Sequence, residues 1–140
     1  MPAQTPPVPQ PAAPRRADAS LAWVAGLGAA FLLIRATTTL LAGASWETPG
    51  DGWRSLWQLA IVALLGYGLV RPAALRSCVA VVGVVYLAST LSELVNPDDL
   101  LGVIPVDMRD RIVHPALALL AVGALWLTGE RGREQAQPAA

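Results

Sequence analysis

Ser77-Cys78-Val79-Ala80-Val81-Val82-Gly83-Val84-Val85-Tyr86-Leu87-Ala88-Ser89-Thr90-Leu91-Ser92 runs for sixteen residues without a charge. From Val79 to Val85 it is apolar at every position, so a helix made from it has no polar face to turn toward water. Three further stretches behave alike: Ala19 to Ile34, Ser55 to Val70 and Ile112 to Gly129. With their flanks each reaches roughly 20 residues, the length needed to cross a hydrocarbon core at ~1.5 Å of rise per residue. The pattern predicts an all-α membrane protein of four transmembrane helices, near 20–43, 53–70, 76–94 and 108–128. Little of the 140-residue chain remains for a separate water-soluble domain.

Composition agrees. Hydrophobic residues make up 54% of the chain and charged residues 14%, against about 25% charged in an ordinary soluble domain, and mean hydropathy is +0.50. The ten positive charges are all Arg and balance ten carboxylates. That balance argues against a nucleic-acid partner, which calls for a clustered basic face. The lone Cys78 cannot form an internal disulfide, and no Cys/His cluster has metal-ligand spacing.

The arginines set an expected orientation. Arg15, Arg16, Arg71, Arg76, Arg131 and Arg133 fall on one set of ends and Arg54, Arg109 and Arg111 on the other. The excess predicts both termini on the cytoplasmic side of the membrane. Trp46, Trp53 and Trp57 then mark the outer interface, and Trp23 and Trp126 the inner one. Six of the twelve prolines lie in the first fourteen residues, so residues 1–19 read as a disordered cytoplasmic tail, with a second short tail at 130–140. Arg15-Arg16, Leu21 to Ile34 and Ala42-Gly43-Ala44 resemble the three parts of a signal peptide. Arg35 interrupts that reading, and an uncleaved first helix is expected.

Pro49-Gly50-Asp51-Gly52-Trp53-Arg54-Ser55-Leu56-Trp57-Gln58 aligns with Pro105-Val106-Asp107-Met108-Arg109-Asp110-Arg111-Ile112-Val113-His114 at an offset of 56 residues. The offset lays helix one over three and helix two over four, which predicts two helical hairpins repeated in parallel. In both copies Asp follows Pro at a helix start, so Asp51 and Asp107 are expected as N-caps.

Leu100-Leu101-Gly102-Val103-Ile104-Pro105-Val106-Asp107, followed by Asp110 and His114, resembles the closing motif of a bacterial family of small four-helix membrane proteins of unknown function. Gly83-Val84-Val85-Tyr86-Leu87 resembles that family's third helix. The likeness covers roughly residues 20–128 and implies a fold without an established activity. The family often carries His where this chain has Gln58, and Gly where it has Val62 and Ala118. A weaker likeness points to DoxX-like proteins.

Polar side chains within a bilayer are costly, and they define the candidate site. Counting ~1.5 Å per residue from the inner helix ends puts Arg35 and His114 at ~21 Å, Gln58 at ~18 Å, Ser89 and Thr90 at ~18–20 Å and Glu93 at ~24 Å. Tyr86, Ser89, Thr90 and Glu93 share one stripe of helix three, and Asp107, Asp110, Arg111 and His114 share one of helix four. The expected layer is Arg35, Gln58, Ser89, Thr90, Glu93 and His114, with Arg35 paired to Glu93 and His114 bonded to Gln58. Ala22, Gly26 and Ala30 form a row of small residues expected to be a packing face.

Three function classes follow. The first is a structural or accessory membrane component, whose partners are the lipid bilayer, other membrane proteins or a second copy of the chain. The second is a small transporter or proton-linked carrier using Arg35, Glu93 and His114. The third is a membrane redox protein of the DoxX-like kind. No catalytic residue, metal or cofactor is assigned: the single histidine disfavours a bis-His haem, and no Gly-x-Ser-x-Gly elbow marks a hydrolase.

Overall fold

In a computed structural model, residues 16–134 are described, and the expected tails, 1–19 and 130–140, lie outside them except for residues 16–19 and 130–134. The chain folds as four helices, α1 (Arg16–Leu41), α2 (Asp51–Val70), α3 (Pro72–Val95) and α4 (Asp110–Glu134). Each is long and apolar enough to span a membrane. The first helix begins four residues ahead of the expected tail boundary, and α4 continues to Glu134 through residues read as tail.

The helices form a ring in which α1 packs on α2 and α4, and α3 packs on α2 and α4. The diagonal α1–α3 contact is slight. The start of α1, the end of α4 and the one-residue α2–α3 turn at Arg71 lie at one end, here the terminal end; the longer α1–α2 and α3–α4 connections form the loop end. The core runs down the middle as Leu21, Ala25 and Leu32 of α1, Ile61 and Leu65 of α2, Val79, Val82 and Tyr86 of α3, and Ala118, Ala121 and Ala124 of α4. Outside it the surface stays apolar: Trp23, Leu27, Val84, Leu119 and Trp126 are each more than 60% exposed. A soluble monomer rarely carries so continuous an apolar exterior, whereas lipid covers it without cost.

Lipid tails are as apolar as leucine, so burial alone does not drive these helices together. Close packing contributes instead, most visibly where α3 meets α4. A Cβ on Gly83 would stand 3.0 Å from the Ala121 Cβ, so a hydrogen there lets the two backbones approach. The expected small-residue face of α1 is a correction. Ala30 is exposed and a Cβ on Gly26 would touch nothing within 4 Å, because the packed stripe runs through Leu21, Ala25, Leu32 and Ala36.

The α3–α4 connection holds a feature that periodicity did not foretell. β1 (Asp99–Leu100) and β2 (Ile104–Pro105) pair antiparallel as a small hairpin. At its tip Leu101 (φ 59°) and Gly102 (φ 72°) are both left-handed, and the Val103 N–H donates back to the Leu100 carbonyl at 3.2 Å. The Asp99 carboxylate steadies the tip by accepting from the Gly102 N–H at 2.6 Å. The Val103 carbonyl in turn accepts from the Gly50 N–H at 3.1 Å, joining the hairpin to the α1–α2 loop. In that loop Trp46 and Trp53 meet edge to face with centroids 5.7 Å apart. Gly52 leaves room for the contact, since a Cβ there would lie 2.8 Å from both the Trp46 ring and the Ser45 carbonyl.

Candidate functional site

Four charges meet where α4 begins. Arg35, six residues before the end of α1, points its Nη1 at Asp110 Oδ1, 2.7 Å away, with Asp107 Oδ2 at 3.8 Å from Nη2. Arg54, in the first turn of α2, donates from Nη1 to Asp107 Oδ2 at 2.9 Å and to Asp110 Oδ2 at 3.0 Å. Asp110 is 1% exposed and lies between the two guanidiniums. Two positive and two negative charges thus close on one another. Buried charges persist when paired; Arg54 is hydrogen-bonded to both carboxylates, whereas Arg35 Nη1 and Asp110 Oδ1 form an ion pair without hydrogen-bond geometry.

Local backbone geometry holds the carboxylates in place. Asp107 Oδ1 accepts from the N–H groups of Arg109 (2.8 Å) and Asp110 (3.0 Å), while Asp110 Oδ2 accepts from the Asp107 N–H at 3.3 Å. This reciprocal arrangement has the logic of a capping box, with Asp at both positions. Partial burial pushes the Asp107 carboxyl up, but the Asp110 N–H, the Arg54 guanidinium, the Arg109 N–H and the Arg35 guanidinium together outweigh it. The carboxyl is held below the ordinary aspartate range. Asp51 differs from its expected part. It is the first residue of α2, the cap position is Gly50, and the Asp51 carboxylate accepts from the Ser45 N–H at 2.6 Å to close the α1–α2 loop.

A second pair lies deeper. Glu93 Oε1 of α3 meets His114 Nδ1 of α4, both side chains being buried. The His114 ring packs against Tyr86 at a centroid distance of 5.3 Å and a tilt of 41°. Tyr86 is 1% exposed, and its hydroxyl has no hydrogen-bond partner among the described residues. Ser89 and Thr90 turn their hydroxyls back on their own helix, donating to the carbonyls of Val85 (3.0 Å) and Tyr86 (2.8 Å). Gln58 is buried, with no side-chain hydrogen bond among the described residues.

The expected layer is therefore divided. Arg35 forms its ion pair with Asp110 instead of Glu93, and His114 meets Glu93 instead of Gln58. The ring order explains both corrections: α1 lies beside α4 and diagonal to α3, so the nearest carboxylate to Arg35 comes from α4. Depth along the axis does not carry that information. Arg54 and Asp110, which occupy matching positions at the 56-residue offset and carry opposite charge, are in contact.

No family model, curated protein or solved structure matches the chain. Among the described residues no group of three or more His, Cys, Asp or Glu is placed to hold a metal ion. What the arrangement does chemically is bind itself. Arg35 ties α1 to α4, Arg54 ties α2 to α4 and Glu93 ties α3 to α4, so the first turns of one helix hold all the others.

Proposed function

We propose that the chain is a structural or accessory component of a bacterial plasma membrane, with both termini cytoplasmic and the polar residues serving to lock the bundle. The observation that carries this reading is the closed pairing at the head of α4. Arg35 and Arg54 are matched by Asp107 and Asp110, and Glu93 is matched by His114. A site that loads and releases a charged solute needs polar groups free to exchange partners; here the partners are intramolecular. The excess of arginine at the terminal end supports the orientation, and the motif around Pro105 and His114 supports kinship with small four-helix membrane proteins.

The experiment is a paired one on the full chain. Reconstituted vesicles holding a pH-sensitive dye should leak protons no faster than protein-free vesicles, and His114→Ala should lower the melting temperature in detergent. A proton flux abolished by His114→Ala at unchanged melting temperature would overturn the structural reading. It would favour the proton-linked carrier, for which the Tyr86 hydroxyl, beside His114 and without a hydrogen-bond partner among the described residues, is the supporting observation. The DoxX-like redox reading rests on the sequence likeness alone. Orientation is tested separately by labelling single cysteines at Thr48 and Ala74 in a Cys78→Ala background, position 74 being protected in intact cells.

A further inference from the structure

At the terminal end, the start of α1, the end of α2 and the start of α3 enclose a cleft of about 370 Å³. Its floor is apolar, formed by Leu21, Ala22, Leu69 and Leu75, and Arg76 stands at its side. The guanidinium is held in place, because Nη1 donates to Thr128 Oγ1 at 2.8 Å and Nη2 reaches the Leu125 carbonyl at 3.5 Å. Both acceptors are neutral, so the contacts fix the charge without cancelling it. A guanidinium has five N–H donors, and these bonds leave several for another acceptor. Arg71, in the adjoining turn, is exposed, and among the described residues neither arginine has a carboxylate within ion-pair distance.

Arg71 caps the end of α2 as well as the start of α3, so the opposite dipole ends of the two helices offset there and the positive character of this place comes from its arginines. The sequence as a whole is polarised. By sequence position, six arginines and the three carboxylates of Asp18, Glu130 and Glu134 belong to the terminal-end segments, and seven carboxylates with Arg35, Arg54, Arg109 and Arg111 to the loop-end ones. An apolar groove ending at a fixed cation, at the depth where headgroups lie, has the shape and charge of a phospholipid. Basic pockets between membrane helices take anionic headgroups for this reason.

We propose that the cleft binds one anionic phospholipid, its phosphate against Arg76 and Arg71 and an acyl chain along Leu21, Ala22, Leu69 and Leu75. The site stands independently of the structural or carrier reading and rests only on the chain spanning a bilayer. Resistance of the chain to carbonate extraction checks that premise by itself.

The test uses the full chain in mild detergent, titrated with phosphatidylglycerol or with phosphatidylcholine of the same acyl chains, and read by native mass spectrometry. One phosphatidylglycerol per chain should persist, bound at least fivefold more tightly than phosphatidylcholine. Arg76→Gln should weaken phosphatidylglycerol about fivefold, the factor belonging to one membrane-surface arginine, and adding Arg71→Gln should erase the preference. Arg109→Gln, exposed at the opposite end, should leave it intact. Ala22→Phe should fill the groove and expel the lipid while both arginines remain, which guards against a fold defect in Arg76→Gln. Equal binding of the two lipids, or a preference that survives both the double arginine variant and Ala22→Phe, overturns the assignment.

Discussion

Replacing Asp110 by leucine should be among the most damaging single changes in the bundle, and the structure says what should repair it. The carboxylate is 1% exposed and faces Arg35 at 2.7 Å and Arg54 at 3.0 Å. Removing one member of a buried pair costs about 3–5 kcal/mol, because the charge left behind has lost its counter-ion. Asp107 remains 2.9 Å from Arg54, and both arginine side chains keep some exposure, 21% and 17%. The lower end, about 3 kcal/mol, is therefore expected, a fall in melting temperature on the order of 10 °C. Arg35→Leu leaves the opposite imbalance, with Arg54 alone against two carboxylates, and should cost a similar amount. In the double variant Arg54 and Asp107 stay matched, and a packed leucine pair replaces an ion pair at little net cost. Reversible unfolding of the two single variants and the double variant in mixed micelles gives the coupling directly. A loss in the double variant well below the summed single losses is expected. Strict additivity, or a strong coupling of Arg35 to Glu93 in a parallel cycle, would refute the pairing scheme.

Other consequences can be checked on the same protein. Because the Asp107 carboxyl is held below its ordinary range, its contribution to stability is complete above the unfolded value, about pH 3.9, and is lost as pH falls through the lower folded value; the melting difference between wild type and Asp107→Asn should shrink in acid. Gly83→Leu should lower stability by about 1–3 kcal/mol through overpacking against Ala121, whereas Gly26→Ala, with open space around it, should be neutral or slightly stabilising in the same melts. Leu101→Gly should raise the melting temperature by the equivalent of about 1 kcal/mol, because a leucine at φ 59° carries strain that glycine does not.

The sequence and the structure agree most closely where the physics is one-dimensional. A charge-free run of sixteen residues announces a membrane helix without reference to any neighbour, and all four helices lie where such runs do. Depth is one-dimensional as well, which is why Arg35, Glu93 and His114 could be set at nearly one level. Partner choice is not. Whether Arg35 meets Glu93 or Asp110 depends on the order of helices around the ring, and apolar exteriors that look alike on every side leave little trace of that order. Asp51 departs from its expected cap role for a more local reason: α2 begins at Asp51 itself, and its carboxylate turns back to accept from the Ser45 N–H. The 99–105 hairpin is too short for alternation to register, though Asp98-Asp99 and Gly102 are the turn formers its geometry uses.

The convergence of ties on α4 bears on how the chain is made. Synthesis runs from the amino end, so Arg35, Arg54 and Glu93 leave the ribosome before Asp107, Asp110 and His114 do. Until then those side chains must be held by water, by headgroups or by the insertion machinery, at a penalty of about 2.5–3.5 kcal/mol for an arginine or aspartate at mid-bilayer. The last helix thus supplies the counter-charges of the other three: a chain that ends before α4 leaves Arg35, Arg54 and Glu93 without the partners they meet in the bundle.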